Sequence, residues 1–292
     1  MRKLIRKLSR KVISFLGLAP LNRIDYGMSK NLYPASKVVL SNYLNENLWK
    51  NPRYIQSQRL PKFSKSIYTH NGAEGIIEEI FNRIGERNQY FVEFGTHSFR
   101  NNTTYLLTKN WKGLWMETSA EAVQNLKNKL DFLVKKDILK IQKAFVTADN
   151  IEELLTEYDV PKEFDLLSID IDGNDYWVWK AMDNFKPTVV IMEYNASFPA
   201  DIRWVMEYNP GHKWDGTNYF GASLKSLELL GLEKGYVLVG CDFTGVNAFF
   251  VRKEFADKFE GPFTSEYHYE EPRYFLNLEA GHPPGFGPFL NM

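Results

Sequence analysis

Apolar runs alternate with helical patterns through the middle of the chain. The apolar runs cover residues 89–95, 111–117, 141–146, 164–172 and 188–195. The segments between them, such as 121–133 and 151–158, carry apolar residues every three or four positions, as a helix packed on a sheet does. This alternation predicts an α/β fold with a doubly wound, Rossmann-like sheet of five parallel strands.

The alternation ends after Asn195. Residues 196–218 mix aromatics with prolines and glycines without a regular period, and we expect a long loop there. A helix is predicted over residues 224–232. The last two apolar runs, 236–241 and 247–252, are separated by only five residues, and so short a link predicts a C-terminal antiparallel hairpin.

Two neighbouring strands of the predicted sheet end on polar residues. The run 164–172 closes with Asp170 and Asp172, and the run 188–195 closes with Glu193 and Asn195. Ligands of open α/β sheets bind beyond the carboxyl ends of the strands, and adjacent strands lie ~4.8 Å apart. We therefore predict that Asp172, Glu193 and Asn195 share a divalent cation, with Mg²⁺ favoured by the all-oxygen ligand set. The alternative is that these side chains cap a helix or form a turn.

The first predicted strand leads into a polar loop that opens a helix. Backbone N–H groups at such a place accept negative charge, which suits an adenosine-bearing ligand. A dinucleotide loop needs three glycines, whereas this loop has only Gly95, so a ligand without pyrophosphate fits better and a nicotinamide enzyme is disfavoured. Glu117, at the end of the second strand, is well placed to bind ribose hydroxyls.

Several short motifs in this region match one known family. They are Val92–Gly95 (VEFG), Asn101–Thr103 (NNT), Gly113–Glu117 (GLWME), Asp170–Asp175 (DIDGND), Glu193–Asn195 (EYN), Gly221–Leu224 (GASL) and Gly245–Phe250 (GVNAFF). With the predicted sheet, they resemble class I S-adenosylmethionine-dependent methyltransferases, and most closely the FkbM-like family. The single glycine after the first strand departs from the family pattern.

The resemblance implies a cofactor and a set of site residues. S-adenosylmethionine would lie with its methionine part against Glu93, Gly95 and Thr96, its ribose on Glu117 and its adenine beside the turn at Thr147. Three further residues of the matched motifs are counted as cofactor-binding, namely Asn102, Thr103 and Asp170. In metal-dependent O-methyltransferases, residue types like those of Asp172, Glu193 and Asn195 hold a divalent ion.

The motifs span residues 75–252, which we take as the methyltransferase catalytic domain. Around it we expect a basic amphipathic helix over residues 1–18, a cover segment over 19–74 and a C-terminal extension over 253–292. The expected function is O-methylation of a hydroxyl of a sugar, a glycoconjugate or another polyol. Asp172 would be catalytic, with the loop histidines His97 and His212 as minor candidates for the base. The alternative is a methyltransferase fold that binds ligands but has lost transfer.

Composition and charge narrow the partners. The chain has 36 basic and 36 acidic residues, so nothing attracts nucleic acid, and the acceptor is expected to be a small molecule or a glycan. The lone cysteine, Cys241, excludes an internal disulfide and fits a reducing cytoplasm. The oligomeric state stays open.

The first 18 residues place apolar side chains along one helical face and basic side chains along the other. No run of the chain reaches the ~20 apolar residues that span a bilayer. This pattern predicts peripheral contact with anionic lipid on the inner face of the membrane. The alternative is a helix docked on the protein's own surface.

Overall fold

The computed structural model describes residues 35–69, 71–277 and 281–292. The predicted basic helix over residues 1–18 lies outside the described residues. The chain divides into two compact units, residues 1–51 and residues 52–292. In the described part of the first unit, residues 35–44 are helical and are followed by a π-helical turn, Asn45–Trp49. The four predicted segment boundaries remain predictions.

A seven-stranded sheet forms the centre of the second unit. Its strands are β1 Tyr90–Phe94, β2 Lys112–Glu117, β3 Leu139–Lys143, β4 Glu163–Ile169, β5 Lys186–Glu193, β7 Tyr236–Cys241 and β8 Asn247–Arg252. The spatial order is β3–β2–β1–β4–β5–β8–β7. The first five strands are parallel, and β8 is inserted antiparallel between β5 and β7. The predicted Rossmann-like methyltransferase fold is therefore confirmed.

Six helices follow or precede the strands. They are α1 Ala73–Ile84, α2 Thr104–Leu107, α3 Ala120–Lys129, α4 Ile151–Glu157, α5 Asp175–Lys180 and α6 Leu224–Glu233. Shorter helical turns cover Pro52–Ile55, Leu60–Phe63, Asp131–Val134, Lys253–Lys258, Ser265–His268 and Tyr274–Asn277. None of the helices in the described ranges is long and apolar enough to cross a membrane.

A two-stranded sheet ties the loop after β5 to the end of the chain. Strand β6, Val205–Met206, pairs antiparallel with β9, Phe289–Leu290. The loop over residues 196–218 is thus fixed by the C-terminal extension. Residues 281–288, which directly precede β9, have no regular structure.

The sheet separates two apolar cores, and the pleat explains why the strands are apolar at nearly every position. Along β5, Val190 and Met192 pack into one core, whereas Val189 and Ile191 pack into the other. Successive side chains of a strand point to opposite faces, so a strand covered on both sides needs apolar residues throughout.

Three local predictions differ from the structure. The helix predicted over 121–133 is interrupted at Leu130, whose backbone (φ −109°, ψ 21°) leaves the helical region. The third strand begins and ends earlier than predicted, so residues 144–146 have already left the sheet. The turn before α4 predicts a cap by Asp149 or Asn150. Asn150 occupies the N-cap position, but its side chain does not cap the helix, because its Oδ1 accepts the N–H of Thr147 at 2.8 Å.

Candidate active site

The loops after β1 and β4 touch at the carboxyl edge of the sheet. Gly95 has a left-handed backbone (φ +82°), and a Cβ built on it would lie 1.7 Å from the carbonyl oxygen of Asp170. Any other residue would push the two loops apart. A single glycine therefore brings the predicted cofactor loop against the predicted catalytic loop.

Glu93 fixes the course of the loop after β1. Its buried carboxylate accepts the N–H groups of Asn102 at 2.9 Å and Thr103 at 3.2 Å, and the hydroxyl of Ser168 at 3.2 Å. Thr103 also donates its hydroxyl to Glu93 and accepts the indole N–H of Trp115 at 2.8 Å. Burial raises the pKa of Glu93 to about 7, although these hydrogen bonds oppose the shift. Glu93 thus fixes the loop after β1 through its hydrogen bonds with Asn102 and Thr103.

A cleft of about 590 Å³ opens where β1, β2, β3 and β4 end. The predicted site residues on its wall are Gly95, His97, Glu117, Asp170, Asp172 and His212. Lys213 and Trp214 of the long loop also line it. The sheet therefore brings six separately predicted residues to one cavity.

Glu117 lines this cleft, and neighbouring residues cover its side chain completely. Its Oε1 accepts the N–H of Ser119 at 2.6 Å and the hydroxyl of Thr118 at 3.1 Å, whereas its Oε2 lies 2.8 Å from Nδ1 of the largely exposed His97. Burial works against ionisation, but the contacts with His97 and Ser119 outweigh it and lower the pKa of Glu117. The hydrogen bond with Glu117 raises the pKa of His97 in turn. The result is an ionised acceptor at the end of β2.

Five of the eight predicted cofactor contacts do not line the cleft, namely Glu93, Asn102 and Thr103, described above, together with Thr96 and Thr147. Thr147 uses its N–H in the turn with Asn150, and its neighbours Phe145 and Val146 line the cleft instead. Thr96 is fully buried and is not among the cleft-lining residues. The early end of β3 accounts for the position of Thr147, because residues 144–146 leave the sheet and form part of the cleft wall.

Three carboxylates converge beside the cleft. Asp170, Asp172 and Glu193 each offer an oxygen within 4.8 Å of the others. No hydrogen bond reaches these carboxylates from the residues that the structure describes. Burial, followed by the charge of Asp172, raises the pKa of Asp170, and burial, followed by the charge of Asp170, raises that of Glu193. A cation would relieve this repulsion, and the oxygen donors suit a hard divalent ion.

The side chain of Asn195, the remaining predicted cation ligand, is hydrogen-bonded to the long loop and is not one of the three clustered carboxylates. Its Nδ2 donates to the carbonyl oxygens of Asn218 at 2.8 Å and Phe220 at 3.0 Å, and its Oδ1 accepts the N–H of Ser197 at 3.2 Å. The buried amide therefore holds the long loop in place. Asp170 occupies the third position in the cluster instead.

The two candidate histidines line the same cleft as Asp172. His212 packs against the turn after β4, since a Cβ on Gly173 would lie 2.3 Å from its Cδ2. Burial raises the pKa of Asp172, and His97, His282 and His212 act in the opposite direction. The sequence reasoning missed His282, which belongs to the C-terminal extension and has no periodic pattern around it.

A second cavity of about 240 Å³ adjoins the carboxylates and shares Gly95 and Asp170 with the cleft. Its wall includes Glu93, Glu193, Arg100, Asn101, Tyr274, Asn277 and His282. The three last residues come from the C-terminal extension. The site thus has two compartments that meet at the contact between Gly95 and Asp170.

Comparison with protein-family models gives no match, and comparison with curated proteins gives no significant match. Solved structures with a similar fold include the methyltransferase domain of bacterial CtHen1-C, at 12% identity and a TM-score of 0.40, covering 63% of this chain and 97% of that chain. An S-adenosylmethionine-dependent methyltransferase from Clostridium acetobutylicum has 11% identity and a TM-score of 0.40, covering 64% and 93%. The magnesium protoporphyrin IX methyltransferase of Synechocystis has 8% identity and a TM-score of 0.42, covering 63% and 83%. At this level of similarity, the activity has to be argued from the site itself.

Proposed function

We propose that the protein is an S-adenosylmethionine-dependent O-methyltransferase of FkbM-like type that acts on a hydroxyl of a sugar, a glycoconjugate or another polyol. The observation that carries the proposal is the meeting of two compartments at Gly95 and Asp170. One compartment has the features of an adenosyl site, and the other is lined by carboxylates that would receive a hydroxyl.

The cleft fits the cofactor in size and in chemistry. Its volume of about 590 Å³ falls within the ~300–1,000 Å³ that is usual for small-molecule sites. Glu117 offers an ionised oxygen that is contacted by the exposed ring of His97, and ribose hydroxyls would take the place of that contact. Phe145 and Val146 supply an apolar wall where the adenine of the resembled family lies.

Methyl transfer is a displacement at carbon. The acceptor oxygen forms the new bond to the methyl carbon, the bond from carbon to the sulfonium sulfur breaks with its electrons staying on sulfur, and the hydroxyl proton leaves to a base. Such a reaction depends on placement more than on acid–base catalysis. Asp172 lines the cleft, and burial raises its pKa, which makes it a better proton acceptor than an ordinary aspartate.

A divalent cation fits the three carboxylates and would supply Lewis-acid assistance to loss of the hydroxyl proton. Asp170, Asp172 and Glu193 would hold it, because their oxygens lie within 4.8 Å of one another. Their mutual repulsion is a reason for the cluster to bind a cation.

Calorimetry with S-adenosylmethionine tests the cofactor site. Glu117→Ala removes the ionised acceptor and is expected to weaken binding by ~1.5–3 kcal/mol, or roughly 10- to 150-fold. Glu121→Ala, on the exposed side of α3, is the matched control and should bind as the unmutated chain does. An unchanged dissociation constant in Glu117→Ala would remove this residue from the site. Cofactor binding without transfer to any hydroxylated acceptor would favour a binding or scaffold protein.

We also infer that residues 1–18 attach the protein reversibly to anionic lipid, because they carry Lys and Arg without any acidic residue. Co-sedimentation with vesicles should require anionic lipid, decrease with salt and be lost when residues 1–18 are deleted. If the full-length chain stays in the supernatant at low salt, the segment has another role.

A further inference from the structure

The second cavity contains a buried amide with an unused donor. Asn101 is 8% exposed, and its Nδ2 has no hydrogen-bond partner in the part of the chain that the structure describes. Leaving a buried donor unpaired is unfavourable. Its neighbour Asn102 also lines the cavity, but Asn102 has partners: its N–H donates to Glu93 at 2.9 Å and its Nδ2 donates to the hydroxyl of Ser168 at 3.1 Å. A ligand that accepts a hydrogen bond would satisfy Asn101.

Donors and acceptors alternate around the cavity. Asp170 and Glu193 offer oxygens, and Asn101 and Asn277 offer amides. Hydroxyl groups match such a wall because each of them both donates and accepts. Three carboxylates on the wall, those of Glu93, Asp170 and Glu193, outnumber the one guanidinium, that of Arg100, and would repel an anionic ligand. An apolar ring would leave the amides unpaired.

One wall of the cavity is aromatic. The rings of Tyr274 and His282 pack edge to face with centroids 4.9 Å apart, and both line the cavity. An aromatic wall gives the C–H side of a ring an apolar surface while the amides and carboxylates bind its hydroxyls. The volume of about 240 Å³ lies below the ~300–1,000 Å³ of drug-sized sites, so the cavity holds about one ring.

A buried polar anchor fixes the C-terminal extension at this place. Glu270 accepts the hydroxyl of Tyr54 at 2.8 Å and the guanidinium of Arg273 at 2.9 Å. The N–H of Arg273 donates to the carbonyl oxygen of Thr244, in the turn between β7 and β8, at 2.8 Å. The residues that follow Arg273 are therefore positioned by the sheet.

We propose that the second cavity is the acceptor site of the transferase and binds one neutral, polyhydroxylated ring, with Asn101 and Asn277 selecting it. This inference rests on the proposed function. The shared residues Gly95 and Asp170 place the reacting hydroxyl beside the cofactor cleft, and Tyr274, Asn277 and His282 make the C-terminal extension the part of the chain that determines the acceptor.

Saturation-transfer NMR on the full-length chain tests the proposal. The probes are methyl glucoside and myo-inositol as neutral rings, glucuronate as an anionic ring and phenol as an apolar ring, each with S-adenosylhomocysteine present. Neutral rings should bind, and Asn277→Ala and Asn101→Ala should each weaken that binding about three- to tenfold. Asn128→Ala, exposed on α3, is the control and should bind normally. Asn277 is only partly buried, so its variant should keep the melting temperature of the unmutated chain.

The outcomes separate the two proposals. The acceptor assignment is overturned if the homocysteine product binds but no neutral ring does, or if glucuronate or phenol binds better than the neutral rings. It is also overturned if Asn277→Ala and Asn101→Ala weaken the binding of S-adenosylhomocysteine instead of the rings. The cavity would then hold the amino-acid end of the cofactor. Ring binding that depends on Asn277 without any binding of the homocysteine product would keep the ring site and contradict the transferase.

Discussion

Strand β4 has an aspartate close to each end, and the two aspartates have opposite surroundings. Asp165 is fully buried and accepts the backbone N–H groups of Arg87 at 2.9 Å, Asn88 at 3.0 Å and Gln89 at 2.7 Å. Asp170 lies just past the other end. Among the described residues, no group donates a hydrogen bond to its carboxylate, and burial raises its pKa.

The backbone nearby decides the role of each aspartate. Before β1, the chain turns so that three consecutive N–H groups point at Asp165, and Gln89 takes a left-handed conformation (φ +54°) to do so. After β4, the close contact at Gly95 involves the carbonyl of Asp170, and its side chain lines both compartments. A carboxylate that is fully hydrogen-bonded holds the fold together, whereas one without partners is left for a ligand.

The largest expected effect is on turnover at the carboxyl end of the sheet. Glu193→Gln keeps the shape of the side chain but removes a charge from the cluster, so we expect turnover to fall at least ~100-fold. Cofactor binding should persist, because Glu193 lines the second cavity rather than the cleft. The control is Glu163→Gln, at the exposed opposite end of β4, which should keep full turnover. Undiminished transfer by Glu193→Gln, or by the unmutated chain in excess chelator, would mean that the cluster does not assist the reaction.

For the free energy of unfolding, the loss of Asp165 should matter more than the loss of Asp170. Asp165→Ala leaves three buried backbone N–H groups without a partner, and we expect a loss of about 3–5 kcal/mol in the free energy of unfolding. Asp170→Ala should change that free energy by less than about 1 kcal/mol, or increase it, because it removes a charge that has no partner. Urea unfolding of both variants measures the difference. Equal losses would show that the two ends of β4 are alike after all.

The pH dependence should give the smallest effect. Because the pKa of Asp170 in the folded protein is raised above its value of about 3.8–3.9 in the unfolded chain, the unfolded state ionises first as the pH rises. The contribution of Asp170 to the stability of the folded state is therefore lost as the pH rises through the pKa of Asp170 in the folded protein. Asp170→Asn should melt progressively higher than the unmutated chain as the pH is raised from about 4 toward neutrality.

Added Mg²⁺ provides a second test of the role of Asp170. It should raise the melting temperature of the unmutated chain at the upper end of that range, since a cation that binds the native state stabilises it, and it should have little effect on Asp170→Asn. A melting temperature that does not respond to Mg²⁺, Mn²⁺ or Ca²⁺ would count against a cation at the cluster.

The sequence predicted the sheet because burial on both faces forces apolar residues at nearly every position of β1, β4 and β5. It also predicted the polar strand ends, since a polar residue that closes such a run has few structural reasons to be there. Two of the residues that close such runs, Glu117 and Asp172, do line the cleft. Their exact contacts, such as the pairing of Glu117 with His97, depend on loop conformations that no periodicity describes.

The contacts of Asn195 could not be predicted, because the path of the chain after β5 depends on a distant partner. The N–H of Asn195 donates to the carbonyl oxygen of Ala222 at 2.8 Å, and its side chain is hydrogen-bonded to the long loop. The role of the C-terminal extension was equally hidden. Tyr274 and His282 have no helical or strand pattern around them. Distant contacts position them, such as those of Arg273 with Thr244 and of Pro283 with Asn218.

The left-handed backbone of Asp172 (φ +54°) sets a trade-off between robustness and activity. An L-residue other than glycine held in this conformation costs roughly 1–2 kcal/mol, somewhat less for aspartate. Selection for thermostability alone would therefore favour glycine at this position, and the carboxylate would be lost. Position 172 should be excluded from such stabilisation, because its backbone strain accompanies the group that the proposed chemistry requires.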